Sequence, residues 1–124
     1  MRLKERLYMR WQELVFGKEQ KRITAKVMSL RILEEAVELC QAHGWNGTDI
    51  EAVCDQVLAK PKGKISQEFG GVMVTAIGYA AVSGIKADDA YWDEYERILD
   101  PEIIIRVRER NLAGDKLGLK EQAQ

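Results

Sequence analysis

The sequence predicts an all-α fold, and three observations carry that prediction. Apolar residues recur every three or four positions from residue 19 to residue 43, as they do along one face of a helix. Residues 72 to 77 have the β-branched composition of a strand, but we identify no second strand to pair with them. A single strand without a partner would leave its backbone groups unsatisfied, so we interpret this segment as helical as well. The two prolines, Pro61 and Pro101, mark a turn and a helix start.

The size and charge of the chain narrow the class of protein. A chain of 124 residues with 46% hydrophobic residues has the composition of one globular domain. Its 19 basic and 20 acidic residues give a formal charge of -1, so we expect no nucleic-acid partner. No apolar run is long enough to cross a bilayer, and residues 1–6 lack the hydrophobic region of a signal peptide. We therefore expect a cytoplasmic protein without a membrane partner.

A domain of this size buries only about two-thirds of the surface that its unfolded chain exposes. Self-association would bury more, so an oligomer is expected on size alone. We expect a single domain over residues 1–124, with residues 1–18 as an N-terminal arm or helix and residues 115–124 as a loose tail.

Cys40 and Cys54 have no CxxC or Cys/His cluster around them, which favours two reduced core thiols.

The first two predicted helices each end at a glycine. Residues 3 to 16 form a short amphipathic segment that carries Trp11, and Gly17 closes it. The long periodic segment of residues 19 to 43 follows, and Gly44 supplies its stop. His43, the only histidine, stands at that helix end, where a cation favours the helix dipole.

The third predicted helix begins at Thr48-x-x-Glu51 and ends near Leu58. This spacing is that of a capping box, in which the hydroxyl accepts from a backbone N–H and the carboxylate reaches back. A turn rich in positive charge, Lys60-Pro-Lys-Gly-Lys64, comes next.

The fourth predicted helix, residues 66 to 83, contains three glycines. Gly70, Gly71 and Gly78 each cost up to about 1 kcal/mol relative to alanine inside a helix. We expect close packing against these positions to compensate. Residues 87 to 99 form the next predicted helix, and Asp100-Pro101-Glu102 then reads as the N-cap and first turn of a last helix that ends near Asn111.

Three glutamates on the long helix are the first candidates for chemistry. Glu34 and Glu38 are four residues apart and Glu35 and Glu38 three apart, which places their carboxylates on one helix face. Paired carboxylates suit a hard divalent cation such as Mg²⁺, which takes oxygen ligands and keeps several waters. The same pattern also fits a solvated face paired with Arg31, one turn earlier.

A second acidic motif makes the combination more specific. Gln67-Glu68 opens another helix after the basic turn, and a small apolar run follows it. The stretches Arg31-x-Leu-Glu-Glu-Ala-x-Glu-Leu39, Gly63-x-x-x-Gln-Glu68 and Gly70-Gly-Val-Met-Val-Thr75 resemble the MazG-like all-α NTP pyrophosphohydrolases, most closely their small phage-type members. The likeness covers residues 31 to 111 and implies a four-helix-bundle core that is usually a homodimer or homotetramer.

The resemblance also implies a metal site. Matched to the family pattern, Glu35, Glu38 and Glu68 are the expected ligands of Mg²⁺ or Mn²⁺, and Glu34 is a further ligand or a base that positions the attacking water. The family pattern has an Asp where this sequence has Gly71, so one carboxylate is missing. Asp88 or Asp89, a water or the substrate phosphates would replace it, although both aspartates also suit an ordinary helix start.

Family membership would imply hydrolysis of a nucleoside triphosphate to the monophosphate and pyrophosphate. The phage-type likeness favours a purine deoxynucleotide such as dGTP or dATP. The alternative is a catalytically silent helical-bundle oligomer that binds a nucleotide or protein partner. Candidates for substrate binding are basic or polar groups for the phosphates and aromatic rings for the base. They are Lys62, Lys64, Arg108, Asn111, Trp11 and Phe16. Exposure on the surface or packing in the core explains each of these residues as well.

Overall fold

The computed structural model describes the backbone of residues 1–18 and 24–116 and the side chains of residues 1–18 and 24–110. Within this part of the chain every regular element is a helix, which confirms the all-α prediction and excludes a strand at residues 72 to 77. In chain order the helices are α1 Leu3–Phe16, α2 Ala25–Ala42, α3 Gly47–Leu58, α4 Ile65–Ser83, α5 Ala87–Ile98 and α6 Pro101–Lys116.

The chain divides into two compact units, and the first consists of Met1–Ala36 and Glu96–Gln124. Helix α1 packs against α6 in this unit. Trp11 and Val15 are buried, and the indole N–H of Trp11 donates to the carbonyl of Ile98 at 2.7 Å. Next to them Gln12 is 1% exposed, and its amide donates to the hydroxyl of Tyr8. The Trp11 bond and the packing on α6 hold α1 on the C-terminal helices of its unit, whereas the Gln12 bond lies within α1.

The second unit is Val37–Tyr95, in which Ala80 is the one buried hydrophobic residue among those described. His43 Nε2 lies 2.8 Å from the hydroxyl of Tyr79, and the two rings meet edge to face at 5.7 Å. This contact ties the end of α2 to α4. Cys40 and Cys54 are free thiols, as expected, but they are half-buried and do not lie in the core.

Glycines end the first two helices as predicted. Gly17 and Gly44 have φ angles of 88° and 91°, in the left-handed region that residues with a Cβ avoid. The predicted start of α2 at residue 19 lies outside the described residues. The helix begins at Ala25, where the Thr24 hydroxyl accepts from the N–H of Val27 at 3.2 Å.

The predicted start of α3 is wrong by two residues. Asn46 is the N-cap: its side chain accepts from the N–H of Asp49 at 2.9 Å, and the Asp49 carboxylate accepts from the N–H of Asn46 at 3.4 Å. Thr48 is already inside the helix. Two overlapping pairs have capping-box spacing here, Asn46 with Asp49 and Thr48 with Glu51. Asparagine is a stronger N-cap than threonine, so the helix begins at the earlier pair.

The last helix starts as predicted, with the N–H of Glu102 bonded to the Asp100 carboxylate at 2.8 Å. It continues to Lys116, past the predicted end near Asn111. The rest of the predicted tail lies outside the described residues.

Close packing against the α4 glycines is not found, and that prediction is wrong for the single chain. A Cβ built on Gly70, Gly71 or Gly78 would meet no atom within 4 Å. The physical reason is the orientation of this side of α4, on which Val74 is 75% exposed. The propensity cost of the glycines is therefore not offset within the described chain.

Among the described helices none is by itself long and apolar enough to cross a membrane. Helices α4 and α5 reach that length and apolarity only together, with a 105° bend between them.

The N-cap assignment predicts a difference between two neighbouring substitutions. We expect Asn46→Ala to lower the free energy of unfolding by about 1 kcal/mol, because the N–H of Asp49 loses its acceptor at the start of α3. Thr48→Ala is the matched control and should change it by less than about 0.5 kcal/mol. Urea denaturation followed by circular dichroism measures both. A larger loss for Thr48→Ala than for Asn46→Ala would contradict the assignment.

Candidate functional site

Helix α2 presents three glutamates on one exposed face. Glu34, Glu35 and Glu38, together called the α2 acidic face, are all exposed, and α2 is continuous from Ala25 to Ala42. Side chains three and four positions apart on a helix have Cβ atoms about 5–6 Å apart. Two carboxylates of this face can therefore reach one cation without help from any other element.

Arg31 lies one turn before the α2 acidic face and is half-buried. Its position on the same side of α2 gives the face a cationic neighbour. A guanidinium here competes with a metal ion for the carboxylates, or serves as a counter-charge for a phosphate held by that ion.

Glu68 lies in the first turn of α4 and is exposed. Its carboxylate folds back over Gly63, so that a Cβ built at residue 63 would overlap with Glu68 Oε1. The glycine before α4 thus leaves room for the Glu68 carboxylate beside the helix start. Gly63 and Glu68 belong to one sequence motif, and they lie side by side in the structure.

The contact of His43 with Tyr79 marks where the end of α2 meets α4 in the second unit. Tyr79, which contacts His43, lies eleven residues, or about 16 Å along α4, from Glu68. Glu38 lies only five residues, or about 8 Å, from His43. The contact between α2 and α4 is therefore closer to Glu38 than to Glu68. Among the described residues no group of three His, Cys, Asp or Glu side chains is close enough to hold a metal ion.

The other predicted acidic ligands lie at the start of α5. Asp88 and Asp89 occupy its first turn and are exposed. Negative charge at this end of a helix is favoured by the helix dipole, which accounts for both residues without a metal.

The predicted phosphate-binding residues fall into different environments. Lys62 and Lys64 are exposed in the turn before α4, and Lys64 is the N-cap residue of that helix. The guanidinium of Arg108 instead donates to the carbonyls of Val15 at 2.6 Å and Leu14 at 3.2 Å. Arg108 thus satisfies carbonyls in the last turn of α1. The side chain of Asn111 lies outside the described residues.

The two predicted base-stacking residues also lie in the first unit. Trp11 is 6% exposed and has Tyr8 and Phe16 as aromatic neighbours, with ring centroids at 6.0 Å and 6.4 Å. The faces of a buried indole are not accessible to a nucleobase. Phe16 is half-buried and meets Trp11 edge to face.

Two residues with defined roles were not predicted from the sequence. Tyr79 is the partner of His43, and Gln12 is a buried amide whose Oε1 has no hydrogen-bond partner. Gln12 follows its partner Tyr8 by four residues, a local spacing from which their contact is predictable. No comparable local pattern links His43 to Tyr79, which is far away in the sequence.

Comparisons of the chain with protein-family models, with curated proteins and with solved structures find no match. The likeness to MazG-like proteins therefore stays a resemblance carried by the quoted motifs.

The contacts of Arg108 predict a structural effect of its removal. We expect Arg108→Ala to lower the free energy of unfolding by about 1–3 kcal/mol, because two carbonyls near the end of α1 lose a charged donor. Arg106→Ala removes an exposed arginine from the same helix and should change it by less than about 0.5 kcal/mol. Equal unfolding midpoints in urea for the two variants would contradict the structural role.

Proposed function

We propose that this chain is a divalent-metal-dependent nucleoside triphosphate pyrophosphohydrolase. The observation that carries the proposal is the α2 acidic face, three exposed glutamates of one continuous helix whose spacing lets two of their carboxylates reach one cation. The Gly63-x-x-x-Gln-Glu68 motif adds a fourth carboxylate at the start of α4. In combination these motifs resemble those of the MazG-like superfamily.

The donor chemistry of the α2 acidic face fits a hard cation. Mg²⁺ is commonly bound through one or two carboxylates together with waters and substrate phosphates, so a complete cage of protein ligands is not required. Glu35 and Glu38 would hold the ion, and Glu68 is the proposed additional ligand. The bound ion would supply neutralisation of the triphosphate charge and a more acidic water.

The reaction consumes one water and breaks the anhydride bond between the α- and β-phosphates, which releases a nucleoside monophosphate and pyrophosphate. Glu34 is the proposed residue that orients the attacking water and accepts its proton, because it lies one turn from Glu38 on the same face. Orientation and charge complementarity are the main sources of rate enhancement in phosphoryl chemistry.

For the phosphates, Lys62 and Lys64 are the better candidates among the predicted residues. Both are exposed, whereas the Arg108 guanidinium already donates to two backbone carbonyls. For the base, burial of Trp11 leaves Phe16 as the more accessible of the two predicted rings. The phage-type likeness makes a purine deoxynucleotide the first substrate to test.

A second candidate function is a catalytically silent helical oligomer that binds a nucleotide or protein partner. Two observations favour it: Gly71 stands where the family pattern has an aspartate, and the described residues gather no three-carboxylate group. The two candidates differ in whether the chain turns over nucleotides.

The direct test of the activity is pyrophosphate release from a panel of ribo- and deoxynucleoside triphosphates in Mg²⁺, Mn²⁺ or EDTA, with the product identified by chromatography. Monophosphate that forms only with metal supports the proposal and names the base. Folded protein that turns over none of the panel supports the silent oligomer.

We expect Glu38→Gln to lower kcat at least about 100-fold without a change in the unfolding midpoint, because the substitution removes a charged ligand from an exposed helix position. Glu51→Gln is the matched control, since Glu51 is exposed on α3 and outside the proposed site. Equal turnover by both variants would contradict the assigned role of Glu38. Circular dichroism in urea verifies that both variants fold.

A further inference from the structure

Three exposed arginines follow the solvent-facing side of α1. Arg6 and Arg10 are four residues apart on the helix, and Arg2, the N-cap residue, comes four residues before Arg6. Four residues rise about 6 Å along a helix and return to nearly the same side. Val15, which is buried, follows Arg6 by two and a half turns and so lies on the opposite side. We call the three arginines the α1 arginine row.

The α1 arginine row is electrostatically unfavourable within the chain. Like charges four residues apart on a helix repel each other, and the helix dipole disfavours positive charge at the start of a helix. Glu5 is the acidic residue of the first turn, and its carboxylate accepts from the backbone N–H of Arg2 at 3.1 Å. The three guanidinium groups have no carboxylate partner among the described residues. An anion from outside the chain removes both costs.

The sequence concentrates positive charge in this part of the chain. Residues 1–31 contain nine basic and three acidic residues, whereas residues 32–124 contain ten basic and seventeen acidic ones. The formal charge of -1, on which the expectation of no nucleic-acid partner was based, hides this distribution. An anionic surface attracts the first segment and repels the remainder, so a contact with such a surface uses the first segment.

Exposed apolar side chains border the row. Leu3 and Leu14 are 54% and 57% exposed, and Met9 is 41% exposed. Each of the three lies one helix turn from Arg6 or Arg10. The phosphates of a nucleic acid match the arginines but not these side chains. The interface of a bilayer matches both, because phosphates lie there next to the ends of the acyl chains.

We propose that α1 docks on an anionic phospholipid surface. The α1 arginine row contacts the lipid phosphates, to which a guanidinium donates paired hydrogen bonds, and Leu3, Met9 and Leu14 enter the boundary with the acyl chains. Such a contact lies on the bilayer and needs no helix that spans it, so the lack of an apolar span in the sequence does not argue against it. The proposal does not rest on the proposed activity, since an enzyme and a silent protein can share this surface.

Co-sedimentation of the full chain with lipid vesicles tests the docking surface. We expect binding to phosphatidylcholine vesicles that contain about 30% phosphatidylserine, and at least about 10-fold weaker binding to phosphatidylcholine alone, because the row binds through its charge. Raising the salt concentration from about 0.1 to about 0.5 M should release the chain, because salt screens exposed charges.

Arg6→Glu reverses the charge in the middle of the row and should lower the vesicle partition coefficient at least about 10-fold. The helix dipole favours an acidic residue near the start of α1, so this variant should keep its helices, which circular dichroism verifies. Arg106→Glu is the matched control with the same change in net charge. Arg106 is exposed and lies two positions from Arg108, on the side of α6 that points away from the Arg108 contact with α1. The control should bind within about 2-fold of the wild type.

Leu3→Ser tests the apolar border without a change of charge. We expect it to weaken vesicle binding about 3- to 10-fold, because a leucine side chain no longer leaves water. It should leave the salt dependence of binding unchanged, since the row is intact.

Three results would overturn the proposal. One is a chain that does not bind the phosphatidylserine vesicles at about 0.1 M salt. Another is equal binding by folded Arg6→Glu and Arg106→Glu. The third is tighter binding to a DNA duplex than to the vesicles at the same salt concentration, because a nucleic acid would then be the anionic partner of the row.

Discussion

Burial of apolar surface is the constraint on which each unit depends, and little of that burial occurs within the described residues. Trp11, Val15 and Ala80 are the hydrophobic side chains buried there. In the first unit the Trp11 bond to the Ile98 carbonyl and the packing of α1 on α6 fix the helices. In the second unit the His43 contact with Tyr79 does the same for α2 and α4.

The α2 acidic face depends on a different and more local constraint. Glu34, Glu35 and Glu38 lie on one side of a single helix, so the approach of two of their carboxylates to one cation requires only that α2 forms. Glu68 joins such a site only through tertiary packing, and its carboxylate lies against Gly63 at the start of α4. The proposed metal site therefore has a core fixed by helix spacing and an additional ligand whose position depends on tertiary contacts.

The sequence predicted best what neighbouring residues decide. Gly17 and Gly44 end helices because they adopt positive φ, and Asp100 caps α6 through the N–H of Glu102. The start of α3 was misplaced because two overlapping pairs share the spacing of a capping box. Such signals act within one turn of helix, which is why they are readable in a sequence.

Features that depend on distant residues were not predictable in the same way. Arg108 was expected at a phosphate, but it donates to carbonyls of α1 more than ninety positions earlier in the chain. Trp11 was a candidate for base stacking, and its burial results from packing against the C-terminal part of the chain. The α4 glycines were expected to be packed within the chain, and the space beside them is open.

Binding of a divalent cation by the α2 acidic face is most directly tested by adding Mn²⁺ to ¹⁵N-labelled protein and recording which backbone amide signals broaden. We expect metal-dependent broadening centred on residues 34 to 38 that Mg²⁺ reverses. Broadening centred elsewhere, or none at all, would contradict metal binding by this face.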